Sequence, residues 1–146
     1  MPTIRKSVIV DHGAAAMFAL VDAVEDYPRF LPWCASVEVL ARSAETTHAR
    51  IAIDYRGLKT SIATVNSKQV PDWMRLEFAE GPFERFHGHW RFLALGQGGC
   101  RVEFELDYAL ASRAVDALLS PVFGHIVETL VERFVERADA MRTQTP

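Results

Sequence analysis

From Arg113 to Met141 the apolar residues recur at three- and four-residue steps, the period of one helix face. Val122, Ile126, Leu130 and Phe134 form one row, and Phe123, Val127, Val131 and Val135 form a second beside it. At about 1.5 Å per residue such a helix reaches roughly 40 Å, and its broad stripe demands a cover. The upstream chain has the pattern of strands and hairpins. The expected fold is therefore α+β, a curved antiparallel sheet of six or seven strands wrapped around one long C-terminal helix.

Ser120-Pro121 interrupts this pattern, because proline lacks the backbone N–H and clashes with the preceding turn. Two outcomes fit: a kink, or a break in which Ser120 caps a second helix with Pro121 at its first position. The long part would then run from Pro121 to Arg142.

The chain before it divides at turn residues. Thr3 to Val10 is a β-branched strand leading to Asp11, a candidate N-cap for a short apolar helix over Ala14 to Val24. In Tyr27-Pro28-Arg29-Phe30-Leu31-Pro32-Trp33-Cys34 two prolines permit only a turn or one short helical turn. Ser36 to Arg42, Thr46 to Arg56, Leu58 to Lys68, Trp73 to Ala79, Phe83 to Leu95 and Cys100 to Leu110 follow as strands of a meander. The last two alternate in both arms, with Phe86, Trp90 and Phe92 on one and Val102, Phe104, Leu106 and Tyr108 on the other. A Gly96-Gln97-Gly98 loop pairs inward residues with each other and sets Arg91 opposite Glu103, His89 opposite Glu105 and His87 opposite Asp107.

At 146 residues the chain reads as one domain with a substantial core, residues 139–146 being a frayed tail. Cys34 and Cys100 are too few for a disulfide framework, which suits a reducing compartment, and the expectation is a cytoplasmic protein, at most peripheral to a membrane. No segment reads as a membrane span or a signal-peptide core. A net charge of -3 argues against DNA or RNA as the main partner, although Arg50, Arg56, Lys59, Lys68 and Arg75 fall on central strands and would make a local basic stripe.

Catalytic signals are weak. His87 and His89 share one strand face, a geometry that suits zinc, but a third ligand is missing nearby. Glu103, Glu105 and Asp107 alternate outward with basic partners, and no nucleophile elbow, dinucleotide fingerprint or phosphate loop occurs. The expectation is a non-enzyme without catalytic residues, metal or cofactor. The aromatics carry more: a strongly bent sheet gripping one helix leaves a gap between them, and such gaps are lined by apolar side chains with a few polar ones.

Tyr27-Pro28-Arg29-Phe30-Leu31-Pro32-Trp33-Cys34, Gly81-Pro82-Phe83 with Trp90-Arg91-Phe92, and Cys100-Arg101-Val102-Glu103-Phe104 resemble, in order and spacing, the coenzyme Q-binding and RatA-like toxin family of the START-related helix-grip superfamily, itself polyketide cyclase-like. The resemblance covers nearly the whole chain, with Pro121 as a departure within the helix. It implies a START-like lipid-binding domain with ubiquinone or a related polyprenyl lipid as ligand. Its alternatives are a toxin that binds the ribosome and blocks subunit association, and an oligoketide cyclase or dehydrase. It also implies sites: Tyr27, Phe30, Leu31, Pro32 and Trp33 at the cavity mouth, against a quinone ring or a bilayer; Phe83, Trp90, Phe104 and Leu106 on the sheet side; and Phe123, Ile126, Val127 and Leu130 on the helix side.

Overall fold

The computed structural model describes residues 3–96 and 98–144. Strands β1 (Thr3–Val10), β2 (Cys34–Arg42), β3 (Thr46–Tyr55), β4 (Leu58–Gln69), β5 (Trp73–Glu80), β6 (Phe83–Leu95) and β7 (Gly99–Leu110) form one antiparallel sheet in the order β1-β7-β6-β5-β4-β3-β2. From β2 to β7 each strand pairs with the next, as a meander requires. Only β1 is displaced, because helix α1 (Ala14–Asp22) and a 3₁₀ helix (Val24–Arg29) carry the chain from one sheet edge to the other. Residue shifts within β2, at Ala63/Thr64 and at Phe83/Arg85 mark bulges, which raise local twist and help the sheet curl.

The β3–β4 turn shows why the strands reverse where they do. Tyr55 pairs with Leu58 across a two-residue loop in which Arg56 and Gly57 both have positive φ, 53° and 83°. That is the backbone hand that matches the twist of a hairpin, and glycine adopts it without penalty. At Gly88 the reason is space. A Cβ there would stand 3.1 Å from the Leu76 side chain, so the leucines on neighbouring strands fill the position that a side chain would take.

The β6–β7 hairpin has the expected register throughout, including Phe92 with Val102, Trp90 with Phe104 and Arg91 with Glu103. Its charges pair less simply than their opposition suggests. Arg91 reaches Glu103 at 3.8 Å, but Asp107 takes a two-point contact from Arg85 at 3.0 and 3.1 Å, and His87 turns to Glu77 at 3.0 Å. Glu105 is held by Arg5. Both arms lie inside the sheet, so flanking strands compete for each charge.

Helix α2 (Arg113–Gln144) closes the concave face. It runs unbroken through Pro121, so Ser120 caps nothing. The helix starts at Ser112, whose hydroxyl accepts the Val115 N–H at 3.1 Å. Proline removes only the bond that would reach Ala117, and Leu119, Phe123 and Ile126 still lie buried on the same row. Nor does the helix fray at 139. Asp139 meets His12 Nε2 at 2.6 Å, and Arg142 donates to His12 Nδ1 at 2.8 Å and to the Asp11 carboxylate at 3.2 Å. Because arginine only donates, Nδ1 must accept, and Nε2 carries the proton toward Asp139. Asp11 therefore anchors α2, and Gly13 occupies the N-cap of α1 without a side-chain bond. Residues 145 and 146 of the expected tail lie outside the described residues.

One further expectation is corrected here. An 18-residue window of α2 has mean hydropathy 1.4, long and apolar enough by length and composition to cross a membrane. Its inner row, from Leu119 to Ala138, is nonetheless core that covers the sheet.

Candidate functional site

Between α2 and the sheet lies a cavity of about 100 Å³. Helix α2 contributes Phe123, Ile126, Val127, Leu130 and Phe134. Strands β5 to β7 contribute Leu76, Phe86, Trp90, Phe104 and Leu106, and β3 and β4 contribute Ala49, Ile51, Ile53, Ile62, Thr64 and Asn66. Val24, Tyr27 and Trp33 complete the wall. A recess of about 10 Å³ adjoins it, sharing Ile53, Ile62, Phe123 and Ile126 and extending to Leu58, Pro82, Phe83, Leu119 and Val122.

The structure thus brings Tyr27, Trp33, Trp90, Phe104, Leu106, Phe123, Ile126, Val127 and Leu130 to one cavity, and puts Phe83 in the recess. The proline motif does not form a common mouth. A 3₁₀ helix has three residues per turn, so Val24 and Tyr27 share its inner side. Phe30 ends that helix half-buried, edge-on to Phe134 at 5.3 Å and under the Arg137 guanidinium at 5.4 Å. Leu31 is fully buried in the core without lining the cavity, and Pro32 is exposed.

Sequence patterns had missed the β3–β4 wall, and above all Thr64 and Asn66. The signal is the inward row Ile62, Thr64, Asn66, Lys68 at period two, disguised by its polar members. Thr64 donates to Asn66 Oδ1 at 2.8 Å, and Asn66 is only 5% exposed. Lys68 points inward too, bound to Asp22 at 2.8 Å and Thr47 at 3.1 Å. That removes it from any surface stripe. Arg50 is bracketed by Glu38 and Glu80, while Arg56 and Arg75 lie over the Tyr55 and Trp73 rings. Acidic partners thus claim Lys68 and Arg50 of the expected stripe, while Arg56 and Arg75 keep their charge over aromatic faces.

The cavity wall holds no charged side chain. Its one phenol, Tyr27, donates to the Val21 carbonyl, and burial, with Asp22, Cys34 and Glu25 nearby, pushes its pKa up, so it stays protonated. Burial also lifts the Cys34 thiol to about 11 and raises that of Cys100, which makes both poor nucleophiles. Trp33 Nε1 is buried with no hydrogen-bond partner, a condition that costs about 1–3 kcal/mol. Such a wall can exclude water and bind apolar matter, with a few donors to orient it.

A sheet curled round a long C-terminal helix, with a cavity between them, defines the helix-grip class. The fold of the Zhui aromatase/cyclase from Streptomyces sp. R1128 superposes with a TM-score of 0.83 at 14% identity, covering 94% of this chain and 93% of that one. Residues 10–135 match the family described as polyketide cyclase/dehydrase and lipid transport, and the chain belongs to that family. Among its relatives, the ribosome association toxin RatA of Pseudomonas aeruginosa is 33% identical over 135 residues, 92% of this chain and 94% of that protein. The mitochondrial coenzyme Q-binding protein of Schizosaccharomyces pombe is 26% identical over 142 residues, 92% of this chain and 85% of the other.

Proposed function

We propose that this protein is a non-enzymatic carrier or chaperone for a neutral polyprenyl lipid of the ubiquinone class, held under α2. The observation that carries this reading is a buried, uncharged cavity walled by aromatic and branched aliphatic side chains. Transfer of an isoprenoid tail from water drives binding, at about 25 cal/mol per Å² buried. The similarity to a coenzyme Q-binding relative supports the ligand class. At about 100 Å³ the cavity is smaller than the 300–1,000 Å³ usual for small-molecule sites. Entry of a whole lipid therefore displaces wall side chains, since the adjoining recess adds only about 10 Å³. The absence of a titratable wall group that works near neutral pH weighs against a cyclase role. Native mass spectrometry and solvent extraction of purified protein test the proposal. Co-purified or saturably bound quinone is expected, and protein that stays empty with added quinone would sink it.

A ribosome-directed role is the second reading, favoured by the 33% identity to RatA. The outer sheet face sets Arg75 beside His89 and Arg91 beside Trp73, a small basic and aromatic patch. Overexpression with ribosomal subunit profiling tests it, and unchanged profiles would remove this reading.

A further inference from the structure

The cavity is not uniform along its length. Its β4 wall runs from Ile62, which also lines the apolar recess, to Asn66, about 13 Å away along the strand. At the Ile62 end every neighbour on α2 is hydrocarbon: Leu119, Val122, Phe123 and Ile126. At the other end Asn66 faces a cavity that offers it no charged partner. The Asn66 carbonyl accepts the Thr64 hydroxyl at 2.8 Å, which fixes the amide with its two N–H donors available to a ligand. Lys68, next on the same row, is already engaged by Asp22 and Thr47 and lies outside the wall. An asparagine that is 95% buried, with donors to spare beside an empty volume, is a polar group waiting for an acceptor.

From this asymmetry we infer that Asn66 anchors the oxygenated head of the ligand, and that the lipid chain runs from there toward the recess at Phe83 and Leu119. The inference rests on the lipid-binding reading above and adds to it an orientation and a selectivity. The head is uncharged and presents acceptor oxygens, such as carbonyl or ether groups, to Asn66 Nδ2. A carboxylate or phosphate head is excluded, since no cation in the wall would offset its loss of water. Trp33 Nε1, on the same wall, is a buried donor without a partner and favours the same acceptor-rich chemistry.

The test compares two probes, a short-tailed ubiquinone analogue and an isoprenoid hydrocarbon of similar length without a head, on the wild-type protein and on Asn66→Leu. The variant should bind the quinone roughly five- to tenfold more weakly, the worth of one hydrogen bond, and the hydrocarbon no more weakly than the wild type. Equal loss for both probes, or no loss for either, overturns the anchor. Should Asn66→Leu fail to fold, the side-chain amide resonance of Asn66 in the wild-type protein decides the matter. It should move on adding the quinone and stay in place with the hydrocarbon, and a resonance indifferent to the quinone overturns the inference. If the wild-type protein takes up neither probe, the lipid-binding reading itself fails, an outcome distinct from equal binding to both proteins.

Discussion

The two ends of the concave sheet face are built from the same curl and covered by the same chain, yet one is solid and the other hollow. On β6 and β7, Phe92, Cys100 and Val102 are each at most 2% exposed, and Phe18 of α1 drives edge-on into Phe92 at 5.5 Å. On β3 and β4, Ala49, Thr64 and Asn66 face inward and the cavity lies against them. Ala49, Thr64 and Asn66 are short or polar, and they leave unfilled part of the space that longer apolar side chains would take. Aromatic surplus does not by itself make a cavity, since Phe18 and Phe92 interlock and leave none, while Trp90 and Phe104 on the same two strands border the hollow.

The comparison can be broken by substitution. Phe92→Ala, in the solid half, should lower stability by about 3–5 kcal/mol, because a close-packed site cannot collapse around the loss; urea titration measures it. Lys68→Met leaves the Asp22 carboxylate without its ammonium partner, and a loss of roughly 2–3 kcal/mol is expected, below the usual range because Asp22 keeps some water. If Asp22→Asn together with Lys68→Met recovers none of that loss, the pairing account is wrong. Enlarging a residue should separate the halves most sharply. Val102→Phe should cost about 1–3 kcal/mol by overpacking, whereas Ala49→Leu should change stability by less than about 1 kcal/mol while abolishing quinone uptake. Equal destabilisation by the two would mean that the hollow is not usable space.

The outer face provides the smallest effect. Burial first, and then Arg75 and Arg91, hold the His89 imidazole below its ordinary range. The unfolded chain therefore binds that proton more readily, and stability should fall as pH drops through about 6.5. His89→Gln should flatten this slope by well under 1 kcal/mol, since the ring is only half-buried and water screens it, and melting at pH 7.5 and 5.5 would reveal an unchanged slope if the account is wrong.

Much of this molecule is legible in its residue order. Strand limits, the β6–β7 register and the inner row of α2 follow from periods of two and 3.6, which survive in any context because burial of one face enforces them. Local signals were misleading wherever tertiary contacts outbid them. Pro121 reads as a kink or a break, and of the two the break is ruled out by the buried row on both sides that keeps the helix whole. Asp11 reads as a cap, yet Arg142, distant in sequence, claims it.

The sequence by itself determined that a long two-rowed helix would be gripped by a curled antiparallel sheet, because no other partner in the chain could cover so much apolar surface. Only the tertiary structure decided that Lys68 turns inward to Asp22, that the proline motif divides between wall, core and solvent, and that the cavity opens against Ala49, Thr64 and Asn66. A void is the difference between volumes brought together from five strands and a helix, and no single stretch of sequence encodes that difference.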